Sequence, residues 1–138
     1  MALINRVTRL FKADFHAVLD QIEEPELLLK QAVREMEDDL AESEQRIKVA
    51  AHEQEVLLSR KAEVDGKLVE IDEELDLCFA SEKHDLAKNL TRKKLEAQRL
   101  SQRLASKLAA VSKRLTEQSA SLDENRATLE GLRQKAEL

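Results

Sequence analysis

Apolar residues recur along this chain at alternating intervals of four and three, beginning at Leu29 and continuing almost to the last residue. A first series runs Leu29, Val33, Met36, Leu40, Ser43, Ile47, Ala50, Gln54, Leu57, Lys61, Val64, Leu68, Ile71, Leu75 and Cys78, and twelve of its fifteen positions are apolar. A second runs Leu86, Leu90, Lys93, Ala97, Leu100, Leu104, Leu108, Val111, Leu115, Gln118, Leu122, Asn125, Leu129, Leu132 and Ala136, again with twelve of fifteen apolar. A stripe that narrow, repeating every 3.5 residues, can be buried only against another helix. The pattern predicts coiled coil rather than a globular core. In the second series Leu100, Leu104 and Leu108 are spaced 4-4, which predicts a stutter that locally unwinds the supercoil.

Residues 1–22 follow a different period. At 100° per residue, Leu3, Ile4, Val7, Leu10, Phe11, Phe15, Val18, Leu19 and Ile22 share one half of a helical wheel, and Arg6, Arg9, Lys12 and His16 the other. Such a broad apolar arc opposite bases suits a helix lying in a membrane interface, where apolar burial supplies energy and anionic head groups attract the bases. Asp14 projects into the arc and opposes that reading. A helix folded back onto the rest of the chain, or docked in a protein groove, would show the same moment.

Pro25, the sole proline, divides the two patterns. Proline pushes its predecessor out of the α region yet suits a helix's first turn, so Glu23-Glu24 reads as a joint and Pro25 as a helix start. A second break is predicted near Ser81-Glu82-Lys83-His84-Asp85, where the two series fall out of phase and Ser81 and Asp85 are candidate caps. Charge selects a hairpin over a single rod. Residues 63–82 carry eight acids and one base, whereas 83–107 carry eight bases and two acids. Folding at 81–85 lays Asp72, Glu73, Glu74 and Asp76 beside Lys88, Arg92, Lys93 and Lys94. The expected fold is all-α: a short amphipathic helix over 1–22, then a long antiparallel two-helix coiled-coil hairpin over 25–138 with arms of about 26–80 and 85–138.

Composition agrees with long helices, at 37% charged and 2% aromatic residues with two Gly and one Pro. The lone Cys78 cannot form an internal disulfide, which fits a reducing compartment. Apolar runs such as Leu77 to Ala80 are too short for a membrane span, and the expected location is cytoplasmic. No phosphate-binding glycine loop, Cys-x-x-Cys or nucleophile elbow occurs, and His16, His52 and His84 lie far apart. A two-helix rod offers no cleft to shift carboxylate pKa values. The expectation is no enzyme, no metal and no cofactor. Direct nucleic-acid binding is not expected either, because the net charge is −5 and the basic stretch is answered by acids.

One charged face lacks a counterpart. Residues 23–62 carry eleven acids and six bases, while the facing 108–138 carry five of each. Glu35, Glu37, Asp38, Asp39, Glu42 and Glu44 are expected to be unmatched within the hairpin, and Glu35, Asp38, Asp39 and Glu42 are candidate partner-binding residues. A solvated face and a partner's basic surface both remain open.

A short amphipathic helix, then Glu23-Glu24-Pro25, then Glu35-Met36-Glu37-Asp38 resembles the start of the phage-shock protein A family, which includes the vesicle-inducing protein of plastids. Glu82 followed by Asp85-Leu86-Ala87 resembles that family's second-arm start. The resemblance implies an ESCRT-III-like protein of the membrane stress response. Such a protein is peripheral on the inner face of the plasma membrane, binds anionic lipid through its N-terminal helix and forms a homo-oligomer. The membrane-binding residues would be Leu3, Ile4, Arg6, Val7, Arg9, Leu10, Phe11, Lys12, Phe15, Val18 and Leu19. It also implies a second role, transcription regulation by a hairpin that restrains an AAA+ enhancer-binding activator. Family members continue past the hairpin into helices that make polymer contacts, and this sequence stops at Leu138, so full polymerisation is not implied.

Overall fold

The structure, a computed structural model, describes residues 25–137. Two long helices, α1 (Pro25–Ala80) and α2 (His84–Glu137), pack against each other. α1 starts at the proline, whose fixed φ and missing N–H fit a first helical turn. The expected helix over 1–22 lies outside the described residues. Both helices pass through two compact units, one holding residues up to Val49 together with Thr116–Leu138, the other Ala50–Leu115.

In the first unit Met36, Leu40, Leu122, Leu129 and Leu132 form the core, with Leu29, Ala32, Val33 and Ile47 packed around them. Met36 and Leu132 are fully enclosed. In the second unit Leu75, Cys78, Ala87 and Leu90 cluster beside the chain reversal, bringing Leu75 near Leu90 as the expected register requires. Leu57, Leu104 and Val111 form its other cluster.

All fifteen expected seam positions of α1 are buried or half-buried. α2 departs from expectation in its first half. Leu86, Lys93 and Leu100 are exposed, and the residues turned inward are Ala87, Lys94 and Ser101, each one position later. The seam therefore reads Ala87, Leu90, Lys94, Ala97, Ser101, Leu104 and Leu108, an unbroken 3-4 alternation. The expected stutter is absent. Choosing Leu100 over Ser101 on hydrophobicity alone missed that the serine has a partner: its Oγ donates to Asp65 at 2.7 Å. A satisfied hydroxyl is tolerated at a half-buried position, and strict periodicity then decides the face.

The reversal lies at residues 81–83, inside the expected span, but its chemistry differs from expectation. Lys83 N–H donates to Cys78 C=O at 3.0 Å and Glu82 N–H to Phe79 C=O at 3.4 Å, the paired 6→1 and 5→2 bonds of a Schellman ending. Glu82 occupies the left-handed position with φ 55°. Ala87 N–H then donates to Lys83 C=O, so Lys83 precedes the first turn of α2, and neither Ser81 nor Asp85 caps it. Asp85 instead sits in that first turn, where its charge complements the helix dipole.

A side chain at a left-handed position clashes with the following carbonyl, and glycine does not. Glu82→Gly is therefore expected to stabilise the fold by about 1 kcal/mol. A thermal melt followed by circular dichroism checks this, and an unchanged or lower midpoint contradicts the strained turn.

Candidate functional site

Polar residues on the seam are met from the flanks. In the second unit Lys61 Nζ reaches sideways to Asp65 Oδ2 at 2.7 Å, and Ser101 donates to the other oxygen of the same carboxylate. Gln54 Nε2 donates to Ser112 Oγ at 2.9 Å. Lys94 Nζ lies 2.6 Å from Asp72 Oδ1, an ion pair between the opposed tip charges of the two arms. Lys61 with Asp65 is a pair within α1, but the three that cross between the helices, Ser101–Asp65, Gln54–Ser112 and Lys94–Asp72, can form only in one alignment, so they specify register more than they add stability.

The Asp65 carboxyl is held below its ordinary value of 3.8, chiefly by the hydrogen bond from Lys61 and next by that from Ser101. With a folded-state pKa depressed below the unfolded one, the group's contribution is complete above about pH 4 and fades as pH falls through the lower folded value. The melting midpoint of the wild type is expected to exceed that of Asp65→Asn at neutral pH, with the gap narrowing as pH falls below the ordinary carboxylate value. A gap independent of pH contradicts the assignment.

The candidate partner residues Glu35, Asp38, Asp39 and Glu42 lie on α1 in the first unit. Their spacing of three, one and three places them on one side of the helix. Glu35, Asp38 and Glu42 are exposed and Asp39 is half-buried. Among the described residues Glu35, Asp38 and Asp39 form no ion pair, and Glu42 reaches Arg46 one turn on at 3.6 Å. Like charges at i and i+4, as in Glu35 with Asp39 and Asp38 with Glu42, each cost a few tenths of a kcal/mol.

Two members of the expected surplus are matched after all. Glu37 pairs with Arg133, and Glu44 with Arg126, both across to α2. Glu37 also raises the pKa of Arg133, chiefly through its hydrogen bond. Totals of charge over long segments concealed this. The legible signal was spacing: two acids and two arginines, each seven residues apart, on flanks that run antiparallel. Glu53 with Arg114 at 2.8 Å, in the second unit, is a third such pair.

Apolar side chains off the seam are a further feature. In the second unit Leu77 is 69% and Phe79 61% exposed beside the reversal, with Leu86, Leu95, Leu58 and Val69 also open to solvent. No described helix is long and apolar enough to cross a membrane. The eleven candidate membrane-binding residues between Leu3 and Leu19 lie outside the described residues.

A family model described as the PspA/IM30 family matches residues 2–138. The match spans the N-terminal segment as well as both helices. At the level of the family it supports a membrane-associated function in stress response and membrane remodelling.

Proposed function

Because this chain belongs to the PspA/IM30 family, we propose that it is a peripheral membrane-binding protein of bacterial envelope stress, working from the cytoplasmic face of the plasma membrane. The family match, running through residues 2–22 as well as the helical pair, is the observation that carries the reading. Residues 1–22 insert their apolar arc among the lipids, with Arg6, Arg9 and Lys12 drawn to anionic head groups. The helical pair serves as strut and self-assembly surface rather than as an enzyme. Exposed Leu77 and Phe79 beside the reversal, with Leu58, Val69 and Leu95 in the same unit, support the assembly role, since packing by another chain would cover this apolar surface.

Co-sedimentation with anionic vesicles, with and without residues 1–22, tests the membrane role. The full chain is expected to pellet and the shortened one to stay in the supernatant. Equal pelleting of both would remove the N-terminal segment from the mechanism.

A second role, restraint of an AAA+ transcription activator, draws its support from the acidic stripe at Glu35, Asp38 and Asp39, which pays for like-charge repulsion without forming an ion pair among the described residues. Charge reversal at Asp38 and Asp39 is expected to weaken inhibition of the activator's ATPase at unchanged helicity, as neither lies on the seam. Undiminished inhibition would leave the stripe a solvated face.

A further inference from the structure

The buried core of the second unit is interrupted. One cluster, of Leu75, Cys78, Ala87 and Leu90, lies beside the reversal, and another holds Leu57, Leu104 and Val111. Ile71 packs against the first and Val64 against the second. Between Leu57 and Leu75, roughly 27 Å of α1, every inward residue is only half-buried, and the same holds for α2 between Leu90 and Leu104. On α2 the residues turned inward there are Lys94, Ala97 and Ser101, none of them a large apolar group. Leu68 and Ala97, in the middle of the stretch, join neither cluster.

Polar bonds bound this thin stretch. At one edge Ser101 Oγ donates to Asp65 at 2.7 Å, and at the other Lys94 Nζ lies 2.6 Å from Asp72. The two clasps are seven residues apart on each helix, with Leu68 and Ala97 between them. Gly66 falls inside the same span. It is exposed, and a side chain there would meet nothing within 4 Å, so no neighbour requires a glycine. What glycine supplies is backbone freedom: in a helix interior it favours opening about fivefold relative to alanine.

We propose that residues 65–72 of α1, with 94–101 of α2, form a joint in the helical pair. Thin apolar burial and the glycine let α1 open and bend here ahead of the clusters on either side. The Asp65–Ser101 and Asp72–Lys94 bonds, which fit one alignment only, close the joint again in the same register. Bending at Gly66 redirects the end of this unit that carries exposed Leu77 and Phe79, while the Leu75 and Leu90 cluster stays packed.

Hydrogen exchange followed by mass spectrometry on the full chain, as wild type, Gly66→Ala and Ala97→Leu, tests the joint. Wild-type amides of 65–72 and 94–101 are expected to exchange about tenfold faster than those of 75–78 and 104–111. Gly66→Ala is expected to slow exchange at 65–72 about fivefold, with the clusters unchanged. Nothing crowds the added methyl, so this variant carries the test by itself. Ala97→Leu, which adds apolar surface between the clasps, is expected to slow both stretches. Uniform protection in the wild type, or slowing spread evenly over the unit, would overturn the joint. Bending is read separately, from spin labels at positions 55 and 73 in a Cys78→Ala background. Glu55 and Glu73 are exposed, share a face of α1 and lie about five turns apart, on either side of Gly66. A broad distribution of label distances is expected, narrowing in Gly66→Ala. Equal widths in the two proteins would mean that α1 runs straight through Gly66 and would refute the bend.

Discussion

Leu132→Ala and Leu104→Ala are each expected to destabilise the fold by about 3 kcal/mol, whereas Leu100→Ala costs about 0.5–1 kcal/mol. Leu132 is 1% and Leu104 6% exposed, so truncation leaves a void that the packed seam cannot refill. Leu100 is 42% exposed on the flank, and its loss removes partly hydrated surface without opening a cavity. Urea titrations followed by circular dichroism measure the three side by side, with unchanged slopes needed for the comparison to report stability. The contrast is a direct reading of register. Equal costs at 100 and 104 would return Leu100 to the seam and restore the 4-4 spacing. Met36→Ala is expected to behave like Leu132→Ala, but the two together should fall short of their sum, since both belong to one cluster.

The second large effect concerns the membrane. Phe11→Glu is expected to abolish binding of the full chain to anionic vesicles, because it sets a charge at the centre of the apolar arc that includes Leu3, Val7, Leu10, Phe15 and Val18. Arg9→Glu is expected to weaken binding at low salt and less so at high salt, where head-group attraction is screened. Sedimentation across a salt series separates the two contributions. Phe11→Glu protein that still pellets with vesicles would refute insertion through this arc, whatever the salt.

Pro25, the heptads of α1 and the charge reversal either side of residue 82 were enough to place two packed helices, a break within 81–85 and Leu75 near Leu90. These features are legible because they rest on periodicity and on proline's covalent geometry, which act locally. The turn was less legible. No glycine marks it, and the left-handed conformation falls on Glu82, a residue whose type carries no such signal. The segment expected to bind membrane lies outside the described residues, and that expectation stands on its own pattern and on the family match.

The acidic candidates show the same division. That Glu35, Asp38, Asp39 and Glu42 share a face follows from 3.6 residues per turn. That Glu37 and Glu44 do not belong with them follows only from the pairing with Arg133 and Arg126, ninety-six and eighty-two residues away.

By itself the sequence determined that this protein is helical, where its long helices begin and turn, and which stripe of α1 is buried, because helix period and proline stereochemistry are properties of neighbouring residues. Only the tertiary structure decided which of Leu100 and Ser101 faces inward and which acids are neutralised. Each of those depends on what the other helix presents at the same level, and a hydrogen bond across the pair can outweigh the hydrophobicity of a single side chain.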